Sequence, residues 1–373
     1  MKAQETPVQK IASTGIPVYL HGFSAIDSYL EKTSGVSVYA ACSAGLTDLA
    51  FLFQELRYPG AAFADAAVDS NGKTWYFRCE DSAQTFVSFD FLNFYQDCAT
   101  HHYYDPKGIY PILRDIRKGD GKLWQYLPGN NIPSYHALFD MAKILAKYYP
   151  QTRTREIQKI AACFSELNET ASPGIEEQRL LLMELLEAQN PAAGFELLEK
   201  CGFVNTHWPQ LAKLNSVDHS KEFHPEGNVW KHTMETLRYR KPGGSKIGFD
   251  IRLSLGLLLH DCGKPLSNSA GSMRFCGHAE LGAYQARRFL LRLGFDLSLV
   301  NDVCFLVRNH MLPAALSRLP LSRTGELMDS PLFPLLMELY RCDESSSFKG
   351  LDDYYKNSAA YRAYLKKRKN PYR

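Results

Sequence analysis

The chain has 373 residues, more than one ordinary domain holds, and 45% of them are hydrophobic, enough for full-sized cores. Lysine and arginine number 43 against 40 acidic residues, a net charge of +3, so no global basic field marks the chain for nucleic acid and any such contact needs a local patch. Nine cysteines without a C-x-x-C pair read as reduced thiols of a cytoplasmic protein; "MKAQETPVQKIASTG" lacks the apolar core of a signal peptide, and no run reaches the length of a membrane span.

Residues 1–130 read as a small mixed α/β head. "IPVYL", "VSVYAAC", "TWYFRC" and "TFVSFDFL" carry the β-branched and aromatic residues of strands, with helices expected at "SAIDSYLEKTSG" and "LTDLAFLFQEL". Residues 131–205 read as a helical neck. There "SYHALFDMAKILAKYY", "TREIQKIAACFSEL" and "EEQRLLLMELLEAQ" are amphipathic, and Ser172–Gly174 and Asn190–Pro191 break them. Residues 206–350 read as an all-helical domain, and 351–373 as a basic tail that includes Arg362, Lys366, Lys367, Arg368, Lys369 and Arg373. The expected class is therefore α+β.

The helices of the third segment share one feature: an apolar seam that ends in a metal-ligand residue type. In "DIRLSLGLLLHDCGKP", Leu253 and Leu257 mark the inward face, and His260 and Asp261 follow three and four residues after Leu257. Gly263 suits a C-cap and Pro265 a stop. A carboxylate at a buried helix C-terminus opposes the dipole, so Asp261 needs a compensating cation. Val303, Leu306 and His310 repeat the spacing. So do Leu332, Leu336, Leu339 and Asp343, and likewise Val229, His232 and Thr236. His278 stands at another helix start. Imidazole with carboxylate suits Mn, Fe, Co, Ni or Zn better than a thiolate-type structural zinc. Cys262, Cys276 and Cys342 lie nearby but lack paired spacing and read as small core residues.

The order His232, His260-Asp261, Asp343 resembles the HD superfamily of metal-dependent phosphohydrolases. With "FHPEGNVWKHT", "LLLHDCGKP", "GHAELGA" and "LVRNHM", it is similar to the HD domain at the C-terminus of bacterial tRNA nucleotidyltransferases, the CCA-adding enzymes. The resemblance implies metal ligation by His232, His260, Asp261 and Asp343, with His278 and His310 completing the pocket or holding a second ion. It implies a divalent metal (Ni, Mn, Co, Fe, Zn or Mg). It also implies a nucleotidyltransferase head ahead of the neck.

That head departs from the family pattern. In "YLHGFSAIDSYL", Gly22 and Asp27 match, but Phe23 stands for the second glycine and Ile26 for the arginine. The two catalytic acids of the family's D-x-D fall on Ser37 and Tyr39, neither of which holds Mg²⁺ as a carboxylate does. Lys73 falls where the third acid belongs. "DCATHHYYDPKG" keeps Asp105, Pro106 and Gly108, and the neck lacks the D-x-x-R nucleotide reader.

The expected function is accordingly a metal-dependent phosphohydrolase with an inactive head, acting on a nucleotide, cyclic nucleotide or RNA-end phosphate. Asp261 would be catalytic, and Lys264 and Arg308 would meet phosphate oxygens. The alternatives are an RNA-binding or tRNA-processing protein with a vestigial HD site, and a divergent but active tRNA nucleotidyltransferase. Partners would be a phosphorylated small molecule or nucleotide and, for the tail, tRNA or other RNA; no membrane partner is expected.

Overall fold

The structure is a computed structural model. It describes residues 5–32, 35–61, 63–79, 90–119, 134–149, 152–164, 172–218, 227–242, 249–267, 275–347 and 350–369. Residues 85–89 of one expected strand, 223–226 of one motif string, 165–167 of one expected helix and 370–373 of the tail lie outside the described residues. The chain divides into two compact units, Met1–Ala188 and Gln189–Arg373.

The first unit opens with α1 (Pro7–Ser13), β1 (Val18–His21), α2 (Phe23–Tyr29), β2 (Ser37–Cys42), α3 (Leu46–Leu52), β3 (Ala66–Ser70) and β4 (Lys73–Arg78). It continues with β5 (Tyr95–Asp97), β6 (Tyr103–Tyr104), α4 (Tyr110–Lys118), α5 (Tyr135–Tyr148), α6 (Thr154–Ala162) and α7 (Ile175–Glu187). The six strands form one mixed sheet in the order β3-β4-β2-β1-β5-β6, with β2 and β4 parallel and the other pairs antiparallel. Strand alternation sorts the side chains. Val38, Ala40 and Cys42 of β2 join Val8 and Ile11 of α1 and Leu49 of α3 in one core cluster. Tyr39 faces the other way and packs with Tyr76, Phe63 and Leu180.

One expectation is corrected here. Asp90–Leu92, read as the end of a strand, is a 3-10 turn, and its apolar residues are spent on burial of Phe91 and Leu92 rather than on pairing. Strand β3 carries no strand signal in the sequence, since its Ala-Ala-Val-Asp-Ser composition has little β propensity; it is held by β4 and by the bridge from Arg57 to Ala67.

The second unit is helical: α8 (Pro191–Lys200), α9 (Phe203–His207), α10 (Pro209–Ala212), α11 (Val229–Arg238), α12 (Ile251–Leu259) and α13 (Lys264–Ser267). Then follow α14 (His278–Arg292), α15 (Leu297–Asn309), α16 (Leu321–Met328), α17 (Phe333–Ser345) and α18 (Asp352–Lys369). Pro191 starts α8, where its missing N–H costs nothing. Helix α12 runs through the middle of the unit: Leu255, Leu257, Leu258 and Leu259 are fully buried. Its Gly256 lets Leu306 of α15 and Leu339 of α17 close in, since a Cβ there would stand 3.2 and 3.1 Å from their Cδ1 atoms. Two helices capped by His260 and His310, and the helix that carries Asp343 in its last turn, are thereby drawn against one another.

No helix among the described residues is long and apolar enough to cross a membrane.

Candidate metal centre

The seams end where helix spacing places them. His260 follows α12 with helical backbone, His310 follows α15 in the same way, and His232 and Asp343 sit inside α11 and α17. His278 is the first residue of α14. His232, His260, Asp261 and His310 are each 1–2% exposed, so this is an interior cluster. Asp343, with its side chain 25% exposed, is its most open member.

The six side chains form two groups. His232, His260 and Asp343 bring ligand atoms within 4.8 Å of one another, and Asp261, His278 and His310 do the same. Asp261 joins them. Its Oδ2 lies 3.2 Å from His260 Nε2 and 3.9 Å from His232 Nε2, and its Oδ1 lies 3.7 and 3.9 Å from the Nε2 atoms of His278 and His310.

The outer nitrogens set the inner ones. His260, His278 and His310 each place Nδ1 2.7 Å from a backbone carbonyl three residues earlier, those of Leu257, Phe275 and Val307. A carbonyl only accepts, so each Nδ1 carries a proton and each ring turns Nε2, the nitrogen available to a metal, inward. His232 Nδ1 is 3.2 Å from the Ser346 hydroxyl, which donates its own proton to the Asp343 carbonyl oxygen, so His232 also presents Nε2. The consequence is a set of facing acceptors. His278 Nε2 and His310 Nε2 stand 3.1 Å apart, and His232 Nε2 stands 3.0 Å from Asp343 Oδ1. His260 Nε2 is buried without a hydrogen-bond partner. A cation at the centre relieves this repulsion: two nitrogens each about 2.1 Å from one ion at a right angle are about 3 Å apart. The donor set fits a divalent metal.

Charge agrees. Burial works against ionisation of Asp261, but the Lys264 ammonium, 2.6 Å from its Oδ2, holds its carboxyl well below the usual range. Burial, with His260 beside it, pushes His310 down to about 4, and burial also lowers His278 against the pull of Asp261. With His278 and His310 held neutral and the Asp261 carboxylate beside them, the site is poised for a cation.

Five expectations change. Asp261 is not an unpaired charge: Lys264 Nζ lies 2.6 Å from its Oδ2, one helical turn on. Lys264 is thus held at the cluster by Asp261. Arg308 is not brought to the cluster; it is exposed and lines a groove with Tyr284, Arg287 and Phe305, since two residues before His310 is about 200° around the helix. Pro265 does not end the helical path, because it lies in the first turn of α13. Gly263 is required by packing instead: a Cβ there would lie 2.0 Å from the His278 carbonyl oxygen and 2.4 Å from the Gly282 nitrogen. Of the three nearby cysteines, Cys262 and Cys342 are buried as expected, and Cys276 is exposed. All nine cysteines are free thiols.

In the first unit, Ser37 and Tyr39 sit on one face of β2. The Tyr39 hydroxyl donates to Glu184 Oε1 at 2.5 Å, and its ring stacks on Tyr76, its parallel-strand neighbour, at 5.7 Å. Asp27 is tied to Lys147 and Tyr148, at 2.6 and 2.8 Å. Among the described residues, the only clusters of three histidines, cysteines or acids with metal-ligand spacing are the two in the second unit.

Residues 229–344 match the HD domain family. The CC-adding tRNA nucleotidyltransferase of Thermus thermophilus is 34% identical over 163 residues, covering 43% of this chain and 37% of that protein. The multifunctional CCA protein of Methylobacillus flagellatus is 25% identical over 209 residues, 49% of this chain and 48% of that one. The chain spans less than half the length of these curated relatives. Among solved structures, the Bacillus stearothermophilus CCA-adding enzyme in complex with CTP aligns over 95% of this chain and 80% of its own at 14% identity, with a TM-score of 0.47. The Thermotoga maritima CCA-adding enzyme complexed with tRNA aligns over 97% and 80% at 14% identity, TM-score 0.43. Residues 229–344 are therefore an HD domain, and the chain is similar over 43–49% of its length to these tRNA nucleotidyltransferase and CCA proteins.

Proposed function

We propose that the HD domain is a metal-dependent phosphohydrolase acting on nucleotide, cyclic nucleotide or RNA-end phosphates. The observation that carries this reading is the convergence of six ligand-type side chains, with four imidazoles locked at Nδ1 and aimed inward at Nε2. His232, His260 and Asp343 would hold one divalent ion, and His278 and His310 a second, with Asp261 shared. When bound, such a metal neutralises phosphate charge and makes water a better nucleophile. The chain's own part is positional. Asp343 sits at the opening, so substrate enters past it. Lys264, held at Asp261, fixes that carboxylate and places one ammonium at the edge of the cluster. The leucine walls of α12 exclude bulk water from the far side.

Hydrolysis of p-nitrophenyl phosphate and of 2′,3′-cyclic AMP with Ni²⁺, Mn²⁺, Co²⁺ or Mg²⁺ tests this reading. Turnover lost on chelation and restored by metal is expected; no turnover with any of the four metals removes it.

A second reading is supported by the similarity to tRNA nucleotidyltransferase and CCA proteins over 43–49% of the chain: a divergent tRNA nucleotidyltransferase. Against it stand Ser37 and Tyr39 at the positions of the catalytic acids. Incorporation of labelled CTP or ATP into tRNA decides it.

A further inference from the structure

The first unit brings two of its cysteines side by side. Strands β2 and β4 are parallel neighbours, with Val38 opposite Trp75, Ala40 opposite Phe77 and Ala41 opposite Arg78. Continuing that register by one residue sets Cys42 against Cys79. Alternation puts both on one face of the sheet, because Val38, Ala40 and Cys42 share a core cluster with Trp75, Phe77 and Cys79. Neighbouring strands lie about 4.8 Å apart, inside the range of about 4.4–6.8 Å that a disulfide spans between Cα atoms.

Both cysteines are held in place from their outer sides. Cys42 ends β2 opposite Val18 of β1, and the next N–H, that of Ser43, donates to the Pro17 carbonyl oxygen at 3.0 Å. Cys79 follows β4, and its N–H donates to Asp65 Oδ2 at 2.9 Å. The Cys42 sulfur leans toward the end of β4, 3.6 Å from the Arg78 carbonyl oxygen. A hydrogen bond from the Cys79 side chain lowers the Cys42 thiol, against the effect of burial.

The pair is covered thinly. Cys42 and Cys79 are 5% and 6% exposed, and Ser43, beside Cys42, is exposed. A small uncharged oxidant suits such a site better than a bulky one. A third cysteine, Cys98, packs against the same cluster, but its N–H bonds Val18 from the other side of β1, so a strand stands between it and Cys42. Burial pushes the Cys98 thiol up to about 11, which leaves it a poor competitor.

We propose that Cys42 and Cys79 are a redox-modification site that a hydroperoxide closes to a disulfide. The Cys42 sulfur attacks one peroxide oxygen, the O–O bond breaks, and the Cys42 proton leaves with the other oxygen as water. Cys42 is then a sulfenic acid. The Cys79 sulfur attacks the Cys42 sulfur, the S–O bond breaks, and the Cys79 proton leaves in a second water. Two thiols are oxidised and one peroxide is reduced. The bond ties the ends of β2 and β4 and closes a loop that carries α3 and β3. This site belongs to the first unit and the hydrolase site to the second, so either reading can fail without the other.

The test is a disulfide map of the full chain. Purified protein is treated with hydrogen peroxide, its remaining thiols are alkylated in denaturant, and the digest is read by mass spectrometry. A linked Cys42–Cys79 peptide pair is expected in most chains, reversed by dithiothreitol, with Cys98 still alkylated. Cys79→Ser removes the resolving thiol, so dimedone trapping of sulfenic acid at Cys42 should rise about tenfold over wild type. If Cys79→Ser misfolds, the wild-type map decides alone. Cys42 and Cys79 both alkylated when the exposed Cys163 and Cys276 are oxidised, Cys42 linked to any other cysteine, or no rise in trapping in folded Cys79→Ser would each overturn the proposal.

Discussion

His278 Nε2 and His310 Nε2 face each other at 3.1 Å, and each ring spends its only neutral-form proton on a backbone carbonyl at the opposite nitrogen. Two lone pairs at that distance repel. The folding energy of α14 and α15 holds them there, and a bound cation turns the repulsion into attraction.

Asp261→Asn keeps shape and loses charge at the shared ligand. Metal affinity should fall at least tenfold and phosphate hydrolysis with it, while circular dichroism stays that of wild type. Full metal affinity in Asp261→Asn, measured by competition with a chelating dye, would remove Asp261 from the ligand set.

Lys264→Met strips the cation from Asp261 Oδ2, 2.6 Å away, at a carboxylate with a 2% exposed side chain. Metal-free variant protein should lose about 3 kcal/mol of stability, the scale of a broken buried pair. Saturating metal should close most of that gap, because the ion supplies the missing positive charge. Equal melting temperatures of metal-free wild type and variant would show that Lys264 does not compensate Asp261.

Gly263→Ala has no room: its Cβ would stand 2.0 Å from the His278 carbonyl oxygen. Relief requires moving the start of α14, and with it His278. A loss of about 3 kcal/mol is expected by denaturant unfolding, together with weakened metal binding. A variant as stable as wild type would mean that α14 sits less tightly against Gly263.

Ser37→Asp with Tyr39→Asp restores two carboxylates to β2 without a nucleotide reader. No CTP transfer to tRNA is expected from the double variant. Transfer would show that the rest of the nucleotidyltransferase apparatus is intact.

Glu187 gives a pH signature. Burial pushes its carboxyl up to about 7, against the Val36 N–H that donates to it at 2.9 Å. Between the unfolded value near 4.5 and about 7, the folded chain holds more protons than the unfolded one. Its contribution is therefore complete below pH 4.5 and is lost as pH rises through 7, on the order of 3 kcal/mol. Glu187→Gln should flatten the slope of unfolding free energy against pH over that window. An unchanged slope would assign it to other groups.

The metal-type residues were legible because helical spacing is a strict rule: a histidine three or four places beyond a buried leucine leaves the helix on the same side. The same rule, applied to Arg308, would have turned it away from His310. The Lys264–Asp261 pair was also within reach, since i and i+3 are neighbours on a helix, but Gly-Lys-Pro looked like a stop and hid the next turn. β3 was hidden by its alanines. The approach of Cys42 to Cys79 could not be read at all. It depends on the parallel pairing of β2 with β4, and no local pattern announces that register.

The most direct test of the account is metal content. Chelator-stripped protein is reloaded with Mn²⁺ or Ni²⁺, desalted, and assayed by elemental analysis beside Asp261→Asn treated identically. The account predicts about one or two ions per wild-type chain and a small fraction of that in the variant. Equal, near-zero content in both would contradict it.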